Sequence, residues 1–303
     1  MKVTRAVLCL ITAGALILLL VEGTTARAEA AAALRLCSET VIPALFPFLV
    51  LSTLLISLGA GPLTAPALAP LMEGLFRLPG AAGTALVLGL AGGYPMGART
   101  AAELHRSGNL TREEACRLLT FCNNANPAFF LGVLGDGVFH DAKIGLILWL
   151  IHVLSALLTG MLLSGRRKKP RRSSPPPLPA PRPFARLWVE AVGGGLQAML
   201  SVCAFVVIFR VLTAPLAQLG GRASLLAVGL TELFSLIPRL SANRGGFLLS
   251  ALCSGWGGVS VLCQTAAMLE GSGLPLTPCL RGKAVQAALS ALLAAGVSVI
   301  LGI

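Results

Sequence analysis

Charge and catalytic side chains are both scarce in this sequence. It has only two aspartates, Asp136 and Asp141, one tyrosine, Tyr94, and three histidines, His105, His140 and His152. No H-E-x-x-H or G-x-S-x-G pattern is present, and the histidines share no helical face or metal-ligand spacing, so neither catalysis nor a metal or cofactor site is expected. The eight cysteines form no C-x-x-C pair and most lie within apolar stretches, which argues against a disulfide framework and reads them as small hydrophobes. Charged residues make up 12% of the chain, against roughly 25% in soluble domains, so water is not its main solvent.

What fills the chain instead is apolar: 55% of residues are hydrophobic and the mean hydropathy is +0.84. The runs Val7–Val21, Leu45–Leu58, Ile144–Leu163, Leu196–Leu219 and Ala284–Ile303 approach the roughly 20 residues that a helix needs to cross a bilayer. They predict an all-α polytopic membrane protein, with the lipid bilayer as its first partner and a homo-oligomer left open. Lys2 and Arg5 ahead of the first run resemble a secretory signal. The run is long for a signal core and more membrane protein follows, so an extra N-terminal transmembrane helix is expected to be retained.

The net charge of +12 does not point to nucleic acid. Eight of the 24 basic residues fall between Arg166 and Arg186, next to an apolar run and around a proline-rich stretch, with no aromatic residue interleaved among the first seven of them for base stacking. That pattern reads as a cytoplasmic linker under the positive-inside rule. It divides the chain into an N-terminal helix and loop (1–30), a first repeat (31–165), the linker (166–183) and a second repeat (184–303).

The two repeats echo each other. Residues 92–108 align without a gap on 257–273, with identities at Gly92/Gly257, Gly93/Gly258, Thr100/Thr265, Ala101/Ala266, Ala102/Ala267, Leu104/Leu269, Ser107/Ser272 and Gly108/Gly273. With the linker inside, the segment ending at Gly220 runs outward and the one ending at Gly59 runs inward. The halves are therefore expected to be inverted-topology repeats with discontinuous helices, an architecture that places a substrate between the repeats. Short re-entrant segments are expected at Ala65–Leu78 and Ser224–Ile237. Thr111 and Glu114 form a capping box that opens a helix from Glu113 to Phe121.

The chemistry-bearing candidates gather at the breaks. Gly89, Gly93 and Gly97 recur every four residues and make a face for close backbone approach. Gly92, Gly93, Tyr94 and Pro95 also interrupt a helix, and freed backbone groups within a membrane are tolerated only inside protein or beside a wet cavity. The half-helix after Pro95 would offer N–H groups and a positive dipole end to an anion, with Gly97 in its first turn and Arg99 adding a charge. Asn123, Asn124 and Asn126 either cap the next break or bind a substrate. Gly257, Gly258, Ser260 and Gln264, the last replacing Arg99, are the counterparts in the second half. Arg210 and Glu232 are intramembrane charges, costly enough to need a cavity or a partner; Glu73, Glu103, Arg239, Arg281 and Lys283 read as interfacial.

At these residues the chain resembles the YlbJ-type sporulation integral membrane proteins of the wider nucleoside-recognition (Gate) domain family. The matching segments are Ile42–Phe48, Gly92–Arg99, Phe121–Pro127, Gly132 with Gly135, and Trp256–Val261 with Gln264. The resemblance implies an architecture similar to concentrative nucleoside transporters and a small-molecule anion as substrate, dipicolinic acid, moved across the outer forespore membrane during sporulation. A nucleoside or other small-solute transporter and a non-transporting membrane scaffold are the alternatives. The residues leave the coupling ion open.

Overall fold

Among the described residues, 2–164, 182–218 and 220–302 of a computed structural model, the chain is all-helical and contains no strand. Five helical segments are long and apolar enough to cross a membrane: Gly23–Leu55, Ala142–Ser164, Phe184–Leu216, Arg244–Leu269 and Thr277–Ile300. The basic linker, apart from Arg182 and Pro183, lies outside the described residues.

Helices α1 (Lys2–Val21) and α2 (Gly23–Leu36) lead through a π-helical turn, Cys37–Val41, into α3 (Ile42–Ser57). Leu10, Leu16, Ile17 and Leu20 of α1 are exposed, as lipid-facing side chains would be. The first of the five spans starts at Gly23, well before the apolar run at Leu45. Alanines at 26, 28 and 30–33 favour helix where a short loop is expected, and the charge within it is compensated: Glu29 lies 2.7 Å from Arg210 and 3.9 Å from Arg239. Arg210 thus has its partner in α2.

The next elements are α4 (Ala60–Leu71), α5 (Ala82–Gly92) and α6 (Met96–Arg106). Residues 65–78 form the end of α4 and a π-helical turn, Met72–Phe76. A hairpin is formed by α5 with α6, which fold back at Gly93–Pro95; a Cβ on Gly89 would lie 3.0 Å from the Cα of Gly97. Helix α7 (Arg112–Leu118) opens on the expected capping box, with Glu114 N–H donating to Thr111 Oγ1 and Thr111 N–H to Glu114 Oε2. It gives way to an irregular stretch, Cys122–Asn126, and a π-helix, Phe129–Phe139, before α8 (Ala142–Ser164).

In the second half, α9 (Phe184–Gln218) is followed by α10 (Gly221–Thr231) and the short α11 (Leu233–Leu236), which turn back on each other at Glu232. A Cβ on Gly229 would come within 2.8 Å of Leu236. Helices α12 (Arg244–Trp256) and α13 (Val259–Leu269) continue one 26-residue span across a break at Gly257–Gly258, and α14 (Thr277–Leu301) closes the chain.

Directions follow from the contacts. Gly195 of α9 packs on Val50, Leu54 clusters with Leu187 and Ala191, and Val206 clusters with Ala33 and Cys37, so α3 and α9 are antiparallel. Phe121 lies against Gly160 and Thr120 against Gly282, while Ser155 meets Ser290 at 2.7 Å, which sets α8 and α14 antiparallel too. The α5–α6 hairpin enters from the face where α8 ends and α9 begins; the α10–α11 hairpin enters from the opposite face. This arrangement is compatible with inverted topology. It pairs hairpin with hairpin and interrupted span with interrupted span, so the two segments most alike in sequence, α6 and α13, occupy different elements.

Candidate functional site

Four interruptions of helical backbone meet inside the bundle: the tip Gly93–Pro95, the stretch Cys122–Asn126, the tip Thr231–Glu232 and the break Gly257–Gly258. Their packing is direct. Cβ atoms on Gly89 and Gly97 would lie 1.8 and 1.9 Å from the Cys122 carbonyl oxygen, so the glycine face admits a backbone where any side chain would collide. A Cβ on Gly93, at φ +79°, would lie 3.1 Å from Asn126; one on Gly257 would lie 3.2 Å from the Tyr94 hydroxyl, and one on Gly258, at φ +96°, 3.1 Å from the Thr231 carbonyl oxygen. The last two glycines sit at the middle of the α12–α13 span.

Between the four lies a narrow cleft of about 50 Å³. Its polar lining comes from Gly93 and Tyr94, Asn126, Glu232, and Ser260 and Gln264 of α13, one contribution from each interruption; Leu45, Leu49, Phe129 and Phe234 supply apolar wall. The first turn of α13 has no side-chain cap, and Ser260 and Val261 of that turn line the cleft, which brings the positive end of the helix dipole beside it. The start of α6 does not: Met96 N–H is taken by Gly93 C=O and Gly97 is covered by Cys122.

The amides divide their work. Asn126 Oδ1 accepts from Phe129 N–H at 3.0 Å and caps the π-helix, leaving its NH2 beside the cleft. Asn124 is wholly buried, donating to Phe121 C=O at 2.8 Å and accepting from Gln286 Nε2 at 3.0 Å. Asn123 donates to Thr265 of α13 at 2.8 Å, while its Oδ1 has no partner. Two of the three are therefore held by protein groups away from the cleft lining. Glu232 is 2% exposed and accepts from the N–H groups of Phe234 and Ser235 at 3.0 and 2.5 Å, capping α11 while facing the cleft.

Arg99 is not brought to the site. It is exposed with Glu103 and Arg106 on the polar face of α6, four and three residues apart, the spacing that stacks side chains on one helical face. Pro95 and Gly92 shape the tip without lining the cleft, and Arg210 serves the ion pair with Glu29.

A buried cation stands behind the site at a position expected to be interfacial. Lys283 of α14 is 2% exposed. Its Nζ donates to the Tyr94 hydroxyl at 3.1 Å and to Gln286 Oε1 at 2.8 Å, and lies 4.8 Å from the Tyr94 ring centroid. Tyr94 in turn donates to Ser254 C=O at 3.1 Å, and His152 Nε2 accepts from Ala125 N–H at 3.2 Å. Lys283 and Gln286 are three residues apart in an apolar helix, the one sequence signal that could have exposed this pair.

Residues 39–135 match the family model described as Gate: Nucleoside recognition. The chain is similar to a sporulation integral membrane protein, YlbJ of Bacillus subtilis (strain 168), with 31% identity in an alignment 283 positions long that covers 79% of this chain and 69% of that protein. No solved structure matches the chain.

Proposed function

The chain belongs to the family of sporulation integral membrane proteins that includes YlbJ, and from that premise we propose that it carries a small organic anion, dipicolinate, across the outer forespore membrane. The carrying observation is the cleft at which all four helix interruptions converge. Irregular backbone within a membrane protein is sustained where it is buried or lines a cavity, and paired interruptions between opposed repeats are where secondary transporters hold their solutes. The uncapped start of α13, the Asn126 and Gln264 amides, and the Lys283 ammonium behind Tyr94 supply donors and positive potential to an anion. Movement of the two hairpins, which enter from opposite faces, would open the cleft to each side in turn.

One lining residue favours a second reading. The Glu232 carboxylate offers acceptor lone pairs to hydroxyl or N–H groups, as a nucleoside would require, and repels an anion. Uptake of labelled dipicolinate and of uridine into liposomes holding the purified protein separates the two. Saturable dipicolinate uptake, reduced by Gln264→Ala, is expected. Saturable uridine uptake without dipicolinate uptake would establish the nucleoside reading, and saturation by neither would end both.

A further inference from the structure

The face opposite the α8–α9 connection carries a second hollow, separate from the cleft, of about 620 Å³. Its rim holds Arg222 at the start of α10, Arg239 just after α11 and Arg244 at the start of α12; its floor is apolar, with Leu225, Leu248 and Leu249. No acidic side chain lines it. Arg239 is partly occupied, donating to Ser235 C=O at 2.6 Å and standing 3.9 Å from Glu29. Arg222 and Arg244 are exposed, and neither forms an ion pair among the described residues.

We propose that this hollow binds an anionic phospholipid, its phosphate held by the three arginines and its acyl chains lying on the leucine floor. The charge is of one sign and the apolar surface adjoins it, which matches an amphiphile rather than a small hydrophilic anion. Guanidinium groups suit the oxygens of a phosphate diester, which they contact in pairs. The position gives the lipid a role. Arg222 lies in the first turn of the α10–α11 hairpin and Arg239 just follows it, so one phosphate spanning them ties together both ends of the element whose tip places Glu232 in the cleft.

The test is native mass spectrometry of the full chain released from micelles that contain equal phosphatidylglycerol and phosphatidylcholine, with Arg222→Gln/Arg244→Gln as the variant. Both positions are exposed and outside the cleft, so folding is expected to hold, checked by an unchanged elution profile. The wild type is expected to retain phosphatidylglycerol preferentially, and the variant to lose that preference by about fivefold for each arginine removed. Equal retention of the two lipids by the wild type, or an undiminished preference in the variant, overturns the proposal. Displacement of phosphatidylglycerol by an equal concentration of soluble glycerol phosphate also overturns it, because the site would then read the free anion and not the lipid.

Discussion

Lys283 is buried in α14 with a hydroxyl, an amide oxygen and an aromatic face around it, and no carboxylate within ion-pair distance among the described residues. A cation held that way keeps its field, since its neighbours solvate it without neutralising it. That is the physical basis for assigning it a part in anion selection. Replacing Lys283 by Gln keeps a hydrogen-bonding group beside Tyr94 and removes the charge. Dipicolinate uptake should fall about tenfold, the order expected for one charge acting over roughly 10 Å at an effective dielectric near 20. Uridine uptake and thermal stability in detergent should hold. A parallel loss of both uptakes and of stability would show Lys283 to be structural only. Arg99 makes the contrast. It looked stronger in sequence because it follows the glycine break, but helical geometry carries it to the exposed face.

At the scale of elements, the contact that shapes the site is the approach of the Cys122 carbonyl to both arms of the α5–α6 hairpin. Gly97→Ala places a methyl group 1.9 Å from that oxygen, and the backbone must give way. A loss of about 1–3 kcal/mol is expected from overpacking of this kind, read as a lowered melting temperature of the purified protein. Gly108→Ala is unsuitable as a control because its φ is +77°, whereas Gly74, with open space around it, should tolerate alanine with little change. The glycine periodicity showed in advance that a backbone would come close to this helix, and the asparagine cluster marked the loop that does so. What stayed illegible was direction. Gly92–Gly108 and Gly257–Gly273 share local sequence because both follow a glycine break, and only long-range packing makes the first an arm of a hairpin and the second half of a crossing.

For the molecule as a whole, hydropathy revealed the helical membrane class and four of the five spans, since apolar length alone decides them. The start of the first span at Gly23 was hidden because residues 23–36 are not a continuous apolar run, and the partner that neutralises Glu29 there, Arg210, lies 181 positions later. The same limit applies to Lys283: a charge in an apolar helix says that it needs company, and only the fold supplies the company. Function at this scale separates a transporter from a scaffold. Exchanging residues 167–181 for a Gly/Ser stretch of equal length should leave liposome uptake largely intact if the cleft is the working part. A variant that keeps uptake but fails to support spore formation would assign the basic segment a recruiting role of its own. The convergence of the four interruptions also constrains how the protein is made. Each half leaves backbone groups and buried amides that its own residues do not satisfy: Asn123 waits for Thr265, Tyr94 for Ser254, and Asn124 for Gln286. A ribosome delivers these partners more than a hundred residues apart, so the first half must dwell in the bilayer unfinished until the last helix arrives. The interval of greatest vulnerability to quality-control proteases is therefore set by translation, and ends with α14.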